Sequence, residues 1–249
     1  MSDLVAYAVC ATAGLVAGTI NVFAGGGSFL TLPILLFLGL PASAANGTNR
    51  VGVVAQNVGA VWSFHSHRVM DWRWACIASV PVLVGAALGT WAALVVPDLA
   101  FRRILATAML ALTIWTLWRG GGDPGVHTDP HPPWQWARAL GFFGAGLYGG
   151  FLQAGVGFLL LALTTTSGLD LVRGNAVKVL VVLLQTLLSL GIFAATGYVH
   201  WPLGLALAAG NLAGGILGAR MTVLKGHRWL QRAVTVTIVF FAILLWLTD

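Results

Sequence analysis

The sequence is short of charge. Asp, Glu, Lys and Arg together make up 8% of its 249 residues, against about 25% in a soluble domain. A water-soluble fold of this length cannot cover its surface with so few ionised groups. That excludes a soluble enzyme, a nucleic-acid binder and a disordered chain. Glutamate is missing altogether, so the seven acids are all aspartates, and lysine occurs only at Lys178 and Lys225. The two cysteines, Cys10 and Cys76, fall in or beside apolar runs, with neither the spacing nor the partners of a disulfide or metal site. No lysine or arginine precedes Arg50. The basic n-region of a cleaved signal peptide is therefore missing, and the first apolar stretch is expected to stay as a membrane segment.

What the sequence has is apolar surface and glycine: 58% hydrophobic residues and 32 glycines. Long apolar runs point to an all-α polytopic membrane protein whose partner is the lipid bilayer, and glycine suits close helix contacts and broken helices in lipid. Strands of alternating polarity are absent, which argues against a membrane barrel. The net charge of +6 is read as Lys and Arg gathered on cytoplasmic loops, not as a nucleic-acid footprint. Ten of the tryptophans, among them Trp62, Trp72, Trp136 and Trp201, sit near expected span ends, as in an interfacial belt.

Charge-free runs place the helices at roughly 4–23, 28–39, 44–64, 74–96 and 101–118, then 138–152, 156–168, 172–196, 202–219 and 229–247. Segments 28–39 and 156–168 would each rise less than ~20 Å, too little for a hydrocarbon layer of about 30 Å. They read as half-helices, tolerated at membrane depth only against protein or a wet cavity. Residues 119–137 form a Gly/Pro-rich linker between a first transmembrane repeat, 1–118, and a second, 138–249. Its His127, His131, Asp123 and Asp129 are metal-ligating types, but the prolines break any face that would align them. No metal and no cofactor is expected.

The halves match at a nearly constant offset. Asp71-Trp72 falls on His200-Trp201, Gln56 on Gln185, Gly85 on Gly214 and Gly89 on Gly218; with small slips, Gly25 and Gly27 fall on Gly155 and Gly157, and Arg50 on Lys178. The chain is two copies of a unit of about five hydrophobic segments. An odd number of crossings per unit inverts one copy against the other. Placing 65–73, 119–138, 169–173 and 220–232 in the cytoplasm gathers nine basic residues there and leaves Arg102 and Arg103 outside. The expectation is an inverted repeat with both termini outside. Glycine surfaces at 85–89 and 214–218 would serve packing within the chain or in a homo-oligomer.

Three features carry chemistry. Gly25-Gly26-Gly27-Ser28 precedes one half-length segment and Gly155-Val156-Gly157 the other. A half-helix N-terminus offers free N–H groups and about half a positive charge, and two of them meeting would suit an anion; helix packing is the plainer alternative. Asn49-Arg50 and Asn175…Lys178 put a cation in the early turns of long apolar helices, without a carboxylate in any expected span. Such a charge is costly in lipid, and a substrate anion would supply the missing partner; snorkelling to the interface is the alternative. Gln56, Asn57, Gln185 and Thr186 lie about two turns deeper, suited to substrate oxygens or to helix–helix hydrogen bonds. His65 and His67 read as loop residues at a span end.

These motifs resemble the TauE/SafE family of sulfite-exporter-like, toluene-sulfonate-uptake-permease-like membrane permeases. The residues are Ala24-Gly25-Gly26-Gly27-Ser28-Phe29-Leu30, Gly47-Thr48-Asn49-Arg50 and Val69-Met70-Asp71-Trp72; then Gly149-Gly150-Phe151, Gly155-Val156-Gly157-Phe158-Leu159, Asn175-Ala176-Val177-Lys178 and Gly197-Tyr198-Val199-His200-Trp201-Pro202. The resemblance covers nearly the whole chain outside the linker. It implies a multi-pass transporter of the bacterial inner membrane for sulfite, organosulfonates or related sulfur anions, with organic acids for other members. Gln153 stands where a small or apolar residue is usual. The expected mechanism is alternating access, one repeat moving against the other around a midplane site made by Gly25, Gly26, Gly27, Ser28, Asn49, Arg50, Gln56, Asn57, Gly155, Gly157, Asn175, Lys178 and Gln185. The alternatives are an anion channel or facilitator, or a carrier of small carboxylates. An intramembrane enzyme would need a nucleophile and base or metal ligands, and the H-E-x-x-H and G-x-S-x-G patterns are absent. The expectation is therefore no enzyme and no nucleic-acid partner. A structural subunit would not require paired cations in both copies.

Overall fold

The computed structural model describes residues 2–23, 25–118 and 135–247. Among them the chain is all α-helix, without a strand: α1 (Asp3–Phe23), α2 (Ser28–Phe37), α3 (Ala42–Ser66), α4 (Trp72–Val95), α5 (Asp98–Trp118), α6 (Gln135–Phe151), α7 (Val156–Thr166), α8 (Leu171–Ala195) and α9 (Trp201–Leu247). The short helices α2 and α7 have 10 and 11 residues, about 15 Å of rise each. Among the described residues, four helical stretches are long and apolar enough to cross a membrane: Asp3–Phe23, Trp72–Val95, Leu171–Ala195 and Trp201–Leu224. Helix α3 is as long but far more polar. Its Asn46, Thr48, Asn49, Arg50, Gln56 and Asn57 are all buried, so this helix is enclosed by protein, where its polar groups find partners.

Two boundaries differ from the sequence expectation. The loop expected at 220–232, with a separate helix at 229–247, is instead part of one 47-residue helix, α9. In the first half of the chain the corresponding break falls at Pro97, between α4 and α5. Proline lacks the N–H and clashes with the preceding turn. The residue 129 positions later is Gly226, which costs a helix only about 1 kcal/mol. Charge by itself does not end a helix, so among the described residues the second half has four helices where five segments were expected. Helix α6 also begins at Gln135, inside the expected linker. Residues 119–134, with His127, His131, Asp123 and Asp129, lie outside the described residues.

Glycine sets the packing. Gly14 lies against Leu207, Gly210 against Ala11, Gly214 against Leu15 and Gly218 against Thr19, each so close that a Cβ would strike partner backbone. This register runs α1 parallel to α9. Gly85 meets Phe143, Gly89 meets Leu147, Gly146 meets Val82 and Gly150 meets Ala86 in the same way, so α4 runs parallel to α6. The glycine surfaces at 85–89 and 214–218 are thus spent inside the chain. Helix α4, from the first half of the chain, thus seats on α6 of the second half, and α9, from the second half, seats on α1. Helices α3 and α8 lie antiparallel. Gly47 near the start of α3 meets Phe193 and Tyr198 near the end of α8, while Ala60 and Phe64 share a cluster with Ala176 and Val179. Trp62, Trp72, Trp136 and Trp201 stand exposed near helix ends.

Candidate functional site

The site begins where α1 and α6 stop. Past Phe23 the backbone turns at Gly25, with φ +91°; past Phe151 it turns at Gly155, with φ +79°. Both angles lie in the left-handed region open to glycine. The two turns meet: Gly25 and Gly157 touch backbone to backbone, and a Cβ on either would collide with the other. The Phe158 ring covers Gly26, its Cε2 2.9 Å from where a Cβ would stand. The starts of α2 and α7 therefore come together, as the paired glycine motifs suggested. Neither has a capping side chain at its N-cap position. The Gly27 N–H donates to Asn21 Oδ1 at 3.3 Å.

Arg50 is fully buried. Its Nη1 donates to Gln153 Oε1 at 2.9 Å. Its Nη2 donates to the carbonyls of Gly149, at 3.3 Å, and of Gly150, and its Cζ lies 5.0 Å over the Phe193 ring. Those carbonyls belong to the last turn of α6, the negative end of that helix dipole. Nε has no partner. Lys178, 2% exposed, makes the matching contact in the other direction: Nζ donates to Val22 O at 2.8 Å and Asn21 O at 3.4 Å, the last turn of α1. Arg50 thus clasps the end of α6, and Lys178 the end of α1. The helix end supplies roughly half a negative charge, less than either cation carries. Among the described residues neither cation is in ion-pair range of a carboxylate; the one ion pair there is the exposed Arg173–Asp170.

Uncharged side chains fill in around the clasps. Asn21 donates to Gln56 Oε1 at 3.1 Å, which ties Gln56 to the Lys178 end. Asn49 donates to Ser28 Oγ at 3.2 Å and accepts from Thr31 Oγ1 at 2.6 Å. Gln153 Nε2 donates to Thr186 Oγ1 at 3.1 Å. Thr90 donates to Ser189 Oγ at 2.7 Å and to Gly150 O at 3.2 Å. Gln185 is fully buried, with both amide atoms unpartnered, and its Nε2 faces Gly149. Two expected residues stand apart from this network. Asn57 bonds back to Val53 O of its own helix at 2.8 Å. Asn175 reaches Thr222 Oγ1 on α9 at 3.4 Å and leaves its Oδ1 unpartnered. Buried polar atoms without partners are uncommon in native structures. Here the Gln185 amide faces Gly149, and the Arg50 guanidinium donates through Nη2 to the carbonyl of the same glycine.

A family model described as Sulfite exporter TauE/SafE matches residues 10–245. The chain belongs to this family. It is a TauE/SafE membrane transporter chain, similar to a "Probable membrane transporter protein" of Haemophilus influenzae, 28% identical over 94% of this chain and 91% of the relative. It is also similar to "Probable membrane transporter protein ORF9" of Sinorhizobium sp, 25% identical over 93% and 88%, and to "Probable membrane transporter protein YfcA" of Escherichia coli K12, 24% identical over 89% and 82%. No solved structure matches the chain. Asn21, Thr31, Thr90 and Ser189 were not singled out as site residues of this TauE/SafE chain from the sequence. Asn21 had a signal: an amide deep in an apolar span, four residues before Gly25.

Proposed function

We propose that the chain is a secondary transporter that carries small anions, sulfite, an organosulfonate or a related sulfur anion, across the bacterial inner membrane by alternating access. The observation that carries this reading is the pair of buried cations, Arg50 and Lys178, met by carbonyls and an amide and by no described carboxylate. Charge buried in a low-dielectric interior costs several kcal/mol per ion unless it is compensated. A helix end compensates part of it, and an anion beside the uncapped starts of α2 and α7 compensates the rest.

The two copies are read as inverted. The antiparallel run of α3 against α8 supports this, since these are equivalent helices of the two halves. With 65–73 and 169–173 in the cytoplasm, the N-terminus lies outside; the expected return of the C-terminus to that side required the turn at 220–232 that α9 replaces with unbroken helix. The exchange of α4 and α9 between copies supports a refinement of the moving parts: α1, α3 and α9 form one body, α4, α6 and α8 the other, and the α3–α8 contact lies between them. Substrate sits where Gly25, Gly26, Gly27, Ser28, Asn49, Arg50, Gln56, Gly155, Gly157, Lys178 and Gln185 gather.

The test is a thermal-shift panel on purified protein with sulfite, sulfate, thiosulfate, small sulfonates and small carboxylates, on wild type and Lys178→Ala, followed by counterflow in proteoliposomes. An anion at 100 times its Kd stabilises the folded state by about 2.7 kcal/mol. The expected result is a selective rise in Tm that Lys178→Ala loses, with saturable counterflow of the same anion. A response to carboxylates alone would reassign the substrate; flux without saturation would make the protein a channel. An anion shift that Lys178→Ala leaves intact would remove that residue from the site.

A further inference from the structure

We infer that Gln153 is a positioning residue that aims the Arg50 guanidinium while leaving its charge unneutralised, and so helps to set the preference for anions. This rests on the anion reading above.

The backbone gives the first sign. Gln153 has φ +65°, in the left-handed region that side chains other than Gly, Asn and Asp rarely adopt. Glycine would sit there without strain, and the chain uses glycine for the same purpose two residues later, at Gly155. A strained side chain held this way points to a side chain with a task. That side chain is 2% exposed and both ends of its amide are engaged. Oε1 accepts from Arg50 Nη1 at 2.9 Å, and Nε2 donates to Thr186 Oγ1 at 3.1 Å. Thr186 is fixed in turn by donating to Val182 O at 2.6 Å. The chain Val182–Thr186–Gln153–Arg50 sets the plane of the guanidinium. Nη2 is turned to the end of α6, and Nε–H is the edge without a partner.

The chemistry of the partner matters as much as its position. A carboxylate at this point would make a buried, bidentate-capable pair with Arg50 and cancel its charge. An amide accepts the same hydrogen bond and cancels nothing. The second copy solves the problem differently, with Lys178 held by main-chain carbonyls. Gln153 is therefore an orienting device particular to the Arg50 half.

The experiment compares wild type, Gln153→Glu and Gln153→Gly in proteoliposomes, reading the half-saturating sulfite concentration in counterflow and the Tm without anion. Glu keeps the shape and the hydrogen bond from Arg50, gives up the Nε2 donation to Thr186, and adds a charge; Gly removes the side chain while relaxing the backbone. The expected result is at least a tenfold rise in half-saturating sulfite for Gln153→Glu, with an anion-free Tm at or above wild type. Gln153→Gly, which leaves Arg50 charged but unaimed, should show a smaller rise. A purely structural Gln153 would give a Gln153→Glu protein with wild-type half-saturation, and that result overturns the proposal while leaving the anion reading standing. A wild-type protein without saturable counterflow or a thermal response to any anion overturns both.

Discussion

The backbone contact between Gly25 and Gly157 makes the sharpest structural prediction. Gly157 lies in the first turn of α7 and a Cβ there would stand deep inside van der Waals contact with Gly25 Cα. Carbon atoms settle at about 3.5–4 Å, so Gly157→Ala must drive the two turns apart by over ~1 Å. Overpacking of this kind costs typically about 1–3 kcal/mol. Gly25→Ala meets the same wall and in addition places alanine at φ +91°, a further ~1–2 kcal/mol. The control is Gly144→Ala in α6, where a Cβ would meet nothing within 4 Å. There alanine removes the helix cost of glycine and should stabilise by roughly 0.5–1 kcal/mol. With about 2–4 °C per kcal/mol for a chain of this size, Gly157→Ala should melt about 2–12 °C lower in detergent and Gly25→Ala lower still. Gly144→Ala should match or exceed wild type. A Gly157→Ala protein that melts with the Gly144→Ala control would refute the contact, and with it the meeting of the two half-helix starts.

Two further outcomes follow from local geometry. Asp98 Oδ2 accepts the Ala42 N–H at 3.0 Å across the chain, so Asp98→Ala should lose about 1 kcal/mol, the usual worth of a helix N-terminal carboxylate cap, seen as a Tm lower by about 2–4 °C with anion binding unchanged. In a cysteine-free background, Ser66→Cys and Thr196→Cys, both at exposed ends of α3 and α8, should label from opposite sides of the membrane with an impermeant maleimide, Ser66→Cys from the cytoplasm; labelling from one side would sink the inverted arrangement.

Much of this architecture was legible because lipid imposes a simple grammar. The half-helices at Ser28–Phe37 and Val156–Thr166 followed from runs too short to span, bounded by glycine. On α3 the cation and the amides were legible as costly in lipid, but that protein encloses the helix came only from the structure. What failed was the break at 220–232, where clustered Arg and Lys suggested a loop although the first half owes its break to Pro97. The partners of Arg50 and Lys178 were out of reach for another reason. The contacts are with main-chain carbonyls 99 and more residues away in sequence, and a carbonyl leaves no mark in the sequence. The cations were visible; the helix ends they hold were not. Asn57 pointed the other way, an amide in the right stretch that satisfies itself on its own helix.

The exchange of α4 and α9 also has a consequence for how the protein is made. Helix α1 leaves the ribosome with its glycine seam empty, and its partner α9 begins almost 200 residues later. At about 5–20 residues per second, the first helix waits on the order of ten to forty seconds for its seat, and α4 waits for α6 in the same way. Neither half can close its own packing. Newly made first halves therefore carry two unfilled seams, and a chain severed between α5 and α6 would leave one side of each seam on each piece.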